Sequence, residues 1–320
     1  MSQVAVFGGR GFVGSAVVAQ LRRRGYEVTT LSAPRLRSDA TAHEELVAAA
    51  ARSSQDIVAV LRGYDAVVNA AGVAHAPSND VGLLTGANAL LPSVLQHAAR
   101  GAGVSRFVHI SSAAVQGRTP RLDEALTHAP DSAYARSKAL GESALAASRW
   151  EGSLILRPTS VHGADRPVTL RLASLARSRL SVVEAPGDRH TPQVHVNSVA
   201  RAVSVLVDRC ESPPQIVLQP SEGFTVRSFM TVMGCGRPPR SIPRPIARGA
   251  VSGAYALARV GGSPVWAQAR RAELLLRGQE QVSGWLDQRT GIVAPLDEWR
   301  NLAGECATRS ASGGRVRRDG

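Results

Sequence analysis

The spacing of the apolar positions changes repeatedly along the first half of the chain. Residues 3–7 form a short apolar run that ends at glycines, which is typical of a buried strand. Residues 12–24 carry apolar side chains at helical spacing, and a second strand is predicted at 26–31. Such an alternation of strands and helices predicts an α/β fold built on a doubly wound parallel sheet.

The same patterns predict the later elements, although they become less regular after Arg157-Pro158. Further strands are expected at 65–69, 106–111, 153–156, 193–196 and 215–218, and further helices at 88–100, 133–148, 168–178, 198–208 and 246–260. Residues 35–60 show no clear third strand, and the Pro- and Arg-rich stretch 237–244 is expected to be a loop.

These elements divide the chain into three predicted parts. Residues 1–157 would form the first domain, and 158–305 a smaller substrate-binding region whose later strands return to the first sheet. The Gly-, Ser- and Arg-rich stretch 306–320 is expected to be a flexible tail.

A glycine-rich segment follows the first predicted strand directly and opens the first helix. Its glycines are spaced as in a phosphate-binding turn, since one permits the turn, one the approach of a pyrophosphate and one close helix packing. The amides of the helix N-terminus would then bind the phosphates of a dinucleotide. The segment reads Gly8-Gly9-Arg10-Gly11-Phe12-Val13-Gly14.

The end of the second strand bears on the choice between NAD and NADP. An acidic residue there would bind the ribose hydroxyl of NAD, but this chain has Ser32. Arg35 and Arg37 follow, and Arg10 lies in the glycine turn, so guanidinium groups are near the place of a 2′-phosphate. The sequence therefore favours NADP and leaves NAD open.

A Tyr-x-x-x-Lys pair, Tyr134 and Lys138, lies on the helix predicted at 133–148. The two side chains share one helix face, and a nearby ammonium favours the phenolate, so the tyrosine could exchange protons near neutral pH. Lys138 is the one lysine among 38 basic residues, which singles it out in a chain that otherwise uses arginine. Ser112 follows the strand 106–111 and could bind a substrate oxygen.

With these motifs in order, the chain resembles the extended short-chain dehydrogenase/reductase family, in its NAD-dependent epimerase/dehydratase branch. The resemblance covers about residues 3–235. It rests on the glycine turn, the runs 65–72, 107–112, 156–163 and 194–200, and on Asn88, Tyr134 and Lys138.

The resemblance implies a Rossmann fold and assigns roles to several residues. Ser112, Tyr134 and Lys138 would be the catalytic triad. The cofactor would also be bordered or supported by Ala70, Ala71, Gly72, Asn88, Pro158 and Ser160. The chain departs from the family pattern at His162, where a tyrosine is common, and at Asn197-Ser198, where an acidic pair is usual.

By resemblance, the expected function is that of a sugar-nucleotide epimerase or dehydratase that works by hydride transfer at a carbinol or carbonyl carbon. Two alternatives remain open. One is an NADPH-dependent ketoreductase of the same family, and the other is a non-catalytic protein that only binds the dinucleotide.

Charge and cysteine content narrow the partners. The net charge is +13 at pH 7, but the arginines are scattered and no groove-reading motif accompanies them, so no nucleic-acid partner is expected. Cys210, Cys235 and Cys306 lack metal-ligand spacing, which predicts no metal site and a reducing, cytoplasmic location. No apolar run reaches the length of a membrane span. Relatives often pair through helices, so a homodimer is one assembly that the resemblance implies.

Overall fold

The structure of the chain is a computed structural model that describes residues 2–74 and 80–315, without the side chains of 260–264, 267 and 310–315. The chain forms two compact units. The first comprises Met1–Thr159, Asn197–Pro220 and Ser283–Ile292, and the second comprises Ser160–Val196, Ser221–Val282 and Val293–Gly320.

The strands of the described residues are short. In chain order they are β1 (Gln3–Phe7), β2 (Glu27–Leu31), β3 (Ala66–Asn69), β4 (Arg106–Ile110), β5 (Arg121–Leu122), β6 (Ser153–Arg157), β7 (Ser160–His162), β8 (Val182–Glu184), β9 (Gln193–His195), β10 (Ile216–Leu218), β11 (Arg240–Ile242) and β12 (Glu280–Gln281).

The helices vary more in length. They are α1 (Phe12–Arg23), α2 (His43–Ser53), α3 (Gln55–Leu61), α4 (Val81–Thr85), α5 (Leu91–Gly101), α6 (Ala133–Ala147), α7 (Pro167–Arg177), α8 (Val196–Val207), α9 (Val226–Met233), α10 (Arg244–Arg277) and α11 (Leu296–Arg315). A π-helical segment, Gly86–Leu90, joins α4 to α5, and 3₁₀ turns occur at Ala113–Gln116 and Trp285–Gln288. None of these described helices combines the length and apolar character that crossing a bilayer requires.

The first unit is built on a six-stranded sheet in the order β10-β6-β4-β3-β1-β2. Every neighbouring pair is parallel, and every residue of β3, β4 and β6 is buried. Strands that are covered on both faces read as continuous apolar runs, as these do. The predicted α/β fold with a doubly wound parallel sheet is therefore confirmed, and β10 returns to that sheet from the later part of the chain.

Two regions of the first unit contain more helix than the apolar pattern predicts. The stretch 35–60, where no strand was expected, contains α2 and most of α3. The helix predicted at 88–100 begins earlier, with α4 and the π-helical segment. A π-helical turn contains one residue more than an α-helical turn. This difference hardly changes the spacing of the apolar residues, so the sequence pattern does not reveal it.

The second unit has its own apolar core around Trp299, which is fully buried. Phe224 and Phe229 pack edge-on against its indole, at centroid distances of 5.2 and 5.6 Å. Two small parallel pairs, β7 with β9 and β8 with β11, belong to the same unit. Part of the stretch 237–244, predicted to be a loop, is therefore a strand, because its hydrogen bonds come from the distant β8.

The C-terminal region also differs from its prediction. Residues 306–320 were expected to form a flexible tail, but α11 continues to Arg315. Cys306 is fully buried in the core around Trp299, so the start of the expected tail is anchored by apolar packing. Residues 316–320 lie outside the described residues.

Two helical glycines provide a matched test of packing in this fold. A Cβ atom added at Gly141 of α6 would lie 2.4 Å from the backbone oxygen of Asn88, whereas one added at Gly253 of α10 would meet no heavy atom within 4 Å. We expect Gly141→Ala to lower the free energy of unfolding by about 1–3 kcal/mol, because α6 would be pushed away from the π-helical segment. Gly253→Ala should raise it by about 1 kcal/mol through helix propensity. Chemical denaturation of both variants measures the difference, and equal effects would contradict this account.

Candidate active site

The glycine turn between β1 and α1 brings three backbone segments into close contact. Gly8 has a φ of +76°, and a Cβ atom there would lie 2.5 Å from the amide nitrogen of Ala71. A Cβ atom at Gly14 would lie 2.1 Å from the carbonyl oxygen of Gly8. Side chains at these positions would separate β1, β3 and α1, so glycine is required for the turn to form beside Ala70 and Ala71.

The outer side of the same turn is open among the described residues. Arg10 and Gly11 are exposed, and the nearest atom to a Cβ added at Gly11 is the oxygen of Gly8 at 3.2 Å. No side chain caps the N-terminus of α1, and its first turn, with half-buried Phe12 and Val13, has no acidic residue. The backbone amides and the helix dipole are thus arranged as a phosphate group requires. The turn fits the pyrophosphate of a dinucleotide.

The end of β2 carries no carboxylate. Ser32 and Arg35, which follow it, are both exposed. Arg37 forms a two-pronged ion pair with Asp80, with nitrogen–oxygen distances of 2.7 and 2.8 Å. Asp80 also accepts a hydrogen bond from the backbone of Leu83 at the start of α4. Arg37 therefore anchors α4, and Arg35 is the arginine in this stretch without a described ion pair.

Asn88 fixes the segment that follows β3. Its side chain is fully buried, accepts a hydrogen bond from the backbone nitrogen of Val73 at 3.0 Å and donates one to the oxygen of Val73 at 2.9 Å. It also donates to the hydroxyl of Ser137 on α6 at 3.0 Å. A Cβ atom at Gly72 would lie 2.9 Å from the Asn88 oxygen. Asn88 therefore positions the predicted cofactor residues around Gly72, and its own polar atoms are used within the protein.

A second polar pair supports the same edge of the sheet. Asn69, at the end of β3, accepts a hydrogen bond from the backbone of Ala71 at 3.0 Å, and its amide nitrogen lies 3.2 Å from Nδ1 of His109. Burial and the neighbouring charge of Lys138 hold the pKa of His109 well below its usual value, so its ring is neutral. Sequence reasoning gave these residues no role, although each is a polar residue within an apolar strand.

Lys138 is the ionisable group at the centre of this edge. It is 4 % exposed, and its Nζ donates a hydrogen bond to the carbonyl oxygen of Ile110, the last residue of β4, at 3.0 Å. A Cβ atom at Gly72 would lie 3.4 Å from the same Nζ. Burial lowers the pKa of Lys138 to about 8, although the carboxylate of Glu142 acts in the opposite direction. The ammonium thus sits between the ends of β3 and β4.

The other two residues of the predicted triad belong to the helix and the strand end that the Lys138 hydrogen bond joins. Tyr134 is half-buried in the first turn of α6, one helical turn before Lys138, and the hydroxyl of Ser132 caps this helix. Ser112 is half-buried two residues beyond the end of β4, where its hydroxyl accepts a hydrogen bond from the backbone of Ala114 at 3.2 Å. The hydrogen bond of Lys138 to Ile110 brings α6 to the strand end from which Ser112 follows.

A buried ion pair holds α6 against β6. Arg157 donates to both carboxylate oxygens of Glu142, with distances of 2.6 to 3.2 Å, and the Nε2 atom of His128 lies 2.9 Å from the same carboxylate. Burial alone would raise the pKa of Glu142, but the hydrogen bonds of His128 and Arg157 outweigh it and lower that pKa. In the sequence, the one indication that Glu142 belongs to this site was its position one helical turn after Lys138, on the same helix face.

The last two predicted cofactor residues fall in different units. The carbonyl oxygen of Pro158 accepts a hydrogen bond from the backbone of Ala113 at 2.8 Å, so the chain leaving β6 runs beside the residue after Ser112. Ser160 begins the second unit, where its hydroxyl lies 3.2 Å from Nε2 of His162. Burial lowers the pKa of His162 to about 4, which leaves that ring neutral. The first unit therefore contains all the predicted site residues except Ser160.

Because Lys138 is the sole lysine, its titration can be followed without interference from another lysine. In protein labelled with ¹³C-lysine, we expect the single Cε resonance to titrate with a midpoint of about 8, since burial disfavours the ammonium. The same resonance in urea-unfolded protein is the control and should titrate near the ordinary lysine value of about 10.4. A folded-state midpoint at the unfolded value would contradict the buried position of this side chain.

Comparisons with known proteins identify the family of the chain. The family model described as "NAD dependent epimerase/dehydratase family" matches residues 4–218. A ketoreductase of Stigmatella aurantiaca, named for a farnesyl-bearing dihydroquinoline oxide, is 27% identical over 297 residues, which are 86% of each chain. A dTDP-glucose 4,6-dehydratase of Streptomyces niveus is 28% identical over 230 residues, which are 64% of this chain and 68% of the relative.

A solved structure shows the same fold over nearly the whole chain. It is a short-chain dehydrogenase/reductase superfamily protein from Agrobacterium tumefaciens with bound NAD, and it has a TM-score of 0.65 at 17% identity, covering 98% of this chain and 99% of the other. The family model spans the glycine turn, the Asn88 segment, the Tyr134–Lys138 helix and β10. The chain therefore belongs to the NAD-dependent epimerase/dehydratase family of extended short-chain dehydrogenases/reductases.

Proposed function

We propose that this enzyme transfers a hydride at a carbinol or carbonyl carbon of its substrate, with Tyr134 as the general acid and base. The nicotinamide cofactor supplies the hydride acceptor or donor when it is bound. Lys138 lowers the pKa of the Tyr134 phenol by its charge, and Ser112 orients the substrate oxygen by a hydrogen bond. The turn from Gly8 to Gly14 holds the phosphates. The cofactor is bordered by Ala70, Ala71, Gly72 and Pro158, and Ser160 is proposed to border it as well.

The observation that carries this proposal is the buried ammonium of Lys138. Burying a charged group is costly unless it is compensated, and here the described hydrogen bond is to one backbone carbonyl, that of Ile110. Beside Tyr134, this ammonium can lower the pKa of the phenol as well as hold the cofactor ribose, and this double role favours turnover over binding alone. A pKa of about 8 also keeps the amine mostly charged at neutral pH while bringing it near the working range of an acid–base pair.

Three arginines of the second unit favour an anionic substrate. Arg166 and Arg171 lie close enough to Arg271 for their charges to lower its pKa, after the larger effect of its burial. Like charges that a fold holds together are suited to a phosphate or diphosphate. Because the Streptomyces relative is named for dTDP-glucose, we propose a nucleotide sugar as the substrate.

The cofactor is proposed to be NADP, with NAD as the second choice. No described carboxylate follows β2, where NAD would need an acceptor for its ribose hydroxyl, and the hydroxyl of Ser32 replaces it. The exposed Arg35 is then the residue to bind a 2′-phosphate. Arg37 is the second candidate for this role, because its guanidinium is paired with Asp80.

A ketoreductase is the second candidate, because the residues beside Ser112 do not suit the elimination of water. Elimination needs a proton donor for the departing hydroxyl, but Ser112 is followed by Ala113 and Ala114. The nearest carboxylates along the chain are used in the fold. Asp123 accepts hydrogen bonds from Gln116 and Ala125, and Glu124 accepts them from the backbones of Leu218 and Trp285.

Location and assembly are proposed on simpler grounds. Cys210 and Cys235 are exposed thiols, which suits a reducing cytoplasm. A homodimer paired through surface helices, as in relatives, is the proposed assembly.

The first test is Tyr134→Phe, with Tyr64→Phe as the matched control. Loss of the phenolic hydroxyl should reduce kcat by at least about 100-fold, since general acid–base catalysis contributes on this scale. Cofactor binding, measured by NADPH fluorescence, should be retained, and Tyr64→Phe should keep wild-type turnover. Unchanged turnover in Tyr134→Phe would contradict the assigned role.

The second test separates an epimerase from a reductase. The enzyme is mixed with a panel of nucleotide sugars and NADP⁺ or NAD⁺, and in parallel with their 4-keto forms and NADPH or NADH, and nicotinamide absorbance is followed together with product. A reductase should consume one NADPH for each product, faster than NADH, whereas an epimerase should convert substrate with no net absorbance change. Preference for NADH would contradict the proposed role of Ser32 and Arg35.

A further inference from the structure

A cavity of about 610 Å³ lies in the first unit at the amino ends of β4, β6 and β10. Its lining includes Arg106, the first residue of β4, together with Gly152 and Gln215, which directly precede β6 and β10. All these strands are parallel, so their amino ends lie at the opposite edge of the sheet from the glycine turn. The cavity is therefore separate from the candidate active site.

Arg106 is a buried cation in this cavity without a described carboxylate partner. The residue is 8 % exposed, and Nη2 of its guanidinium donates to the backbone oxygens of Glu211 and Asp208, at 2.8 and 3.4 Å. Its Nε atom is buried and has no hydrogen-bond partner among the described residues. The described hydrogen bonds of this guanidinium are to backbone carbonyls and not to a carboxylate, so its charge can attract an anion in the cavity.

Arg106, Arg149 and Arg209 contribute positive charge to the cavity. Burial lowers the pKa of Arg106, and the neighbouring charge of Arg209 lowers it further, while Asp208 acts in the opposite direction. Arg149 also lines the cavity. Arg209 has one long contact, 3.9 Å, to Asp65, and its side chain is 62% exposed.

Acidic residues compensate this charge only in part. Glu151 and Glu211 line the cavity, but the Glu211 carboxylate is bound by Arg289 at 2.7 Å. Asp208 and Asp65 add carboxylates near Arg106 and Arg209, so most of the positive charge is compensated. The cavity still presents three guanidiniums in its lining, and this group type suits a phosphate.

An aromatic wall completes the lining. The indole of Trp150 borders the cavity and stacks on Phe107 with a centroid distance of 6.4 Å and an interplanar angle of 28°. Indole and guanidinium groups together bind ligands in which a flat ring is joined to an anion. The volume lies within the range of small-molecule sites, and it exceeds what a single phosphate ion would fill.

We propose that this cavity is a second ligand site, for a nucleoside monophosphate. Its phosphate would bind Arg106 and Arg209, and its base would lie beside Trp150. The residues of the candidate active site lie at the opposite edge of the sheet, so the ligand would act as an effector, whichever reaction the carboxyl edge performs.

Isothermal titration of the full-length protein with AMP tests the proposal, with NADP⁺ present at saturation so that the glycine turn is blocked. We expect saturable binding of AMP, and weaker binding of ribose 5-phosphate and of adenosine, since each provides only one half of the interaction. Arg209→Ala should weaken AMP binding by at least about tenfold, the loss expected for a charge-assisted hydrogen bond. Arg52→Ala, which removes an exposed arginine from α2 outside the cavity, should leave it unchanged.

Three results would overturn the proposal. They are the absence of saturable AMP binding both with and without NADP⁺, binding that Arg209→Ala leaves unchanged, and binding that is seen without NADP⁺ but lost at saturating NADP⁺, which would assign it to the glycine turn. Arg106→Gln is expected to abolish AMP binding, and circular dichroism checks its fold because that residue is buried. If Arg106→Gln unfolds, Arg209→Ala decides the question alone, since its side chain is largely exposed.

Discussion

The buried ammonium of Lys138 is the interaction on which the candidate active site depends. A single carbonyl, that of Ile110, accepts its described hydrogen bond, so the charge is held at the end of β4 at a cost in solvation. The surrounding structure supports this position. Asn88 ties α6 to the segment after β3, and the ion pair of Glu142 with Arg157 ties α6 to β6. The hydrogen bonds and the ion pair of these neighbours offset the free-energy cost of burying the ammonium, as is common in active sites.

Close backbone approach is the second requirement of the same edge. Gly8 and Gly14 allow β1, β3 and α1 to meet at distances that no side chain would permit. Gly141 does the same for α6 and the π-helical segment that contains Asn88. The helix that carries Tyr134 and Lys138 therefore reaches the sheet edge because a glycine lies at its contact point. Packing of the sheet edge and the geometry of the candidate site therefore depend on one set of small residues.

The two edges of the central sheet differ in how charge is arranged. At the carboxyl edge, helix dipoles and backbone amides provide partial charges, and one ammonium is buried. At the amino edge, several guanidinium groups carry full positive charges. The guanidinium of Arg106 is buried and has no described carboxylate partner. A parallel sheet produces this asymmetry because all its strands point in one direction. Each edge can therefore serve a different anionic ligand.

The sequence alone determined the α/β class, the parallel sheet, the glycine turn and the Tyr134–Lys138 helix. These features depend on local periodicity and on residue types with few alternatives, such as glycine at a positive φ or a lone lysine among arginines. Local patterns failed where distant segments decide the outcome, as in β11, which requires β8, and in α11, whose Cys306 is buried by the core around Trp299.

Only the tertiary structure decided which polar residues act together. Several polar contacts join residues that are separated in the chain, namely those of Asn88 with Val73, Asn69 with His109 and Glu142 with Arg157. The spacing of apolar residues does not predict such pairs. The pairing of Arg37 with Asp80 is of the same kind. A side chain's partner depends on which strands become neighbours, and this order is set by the whole sheet rather than by any one segment.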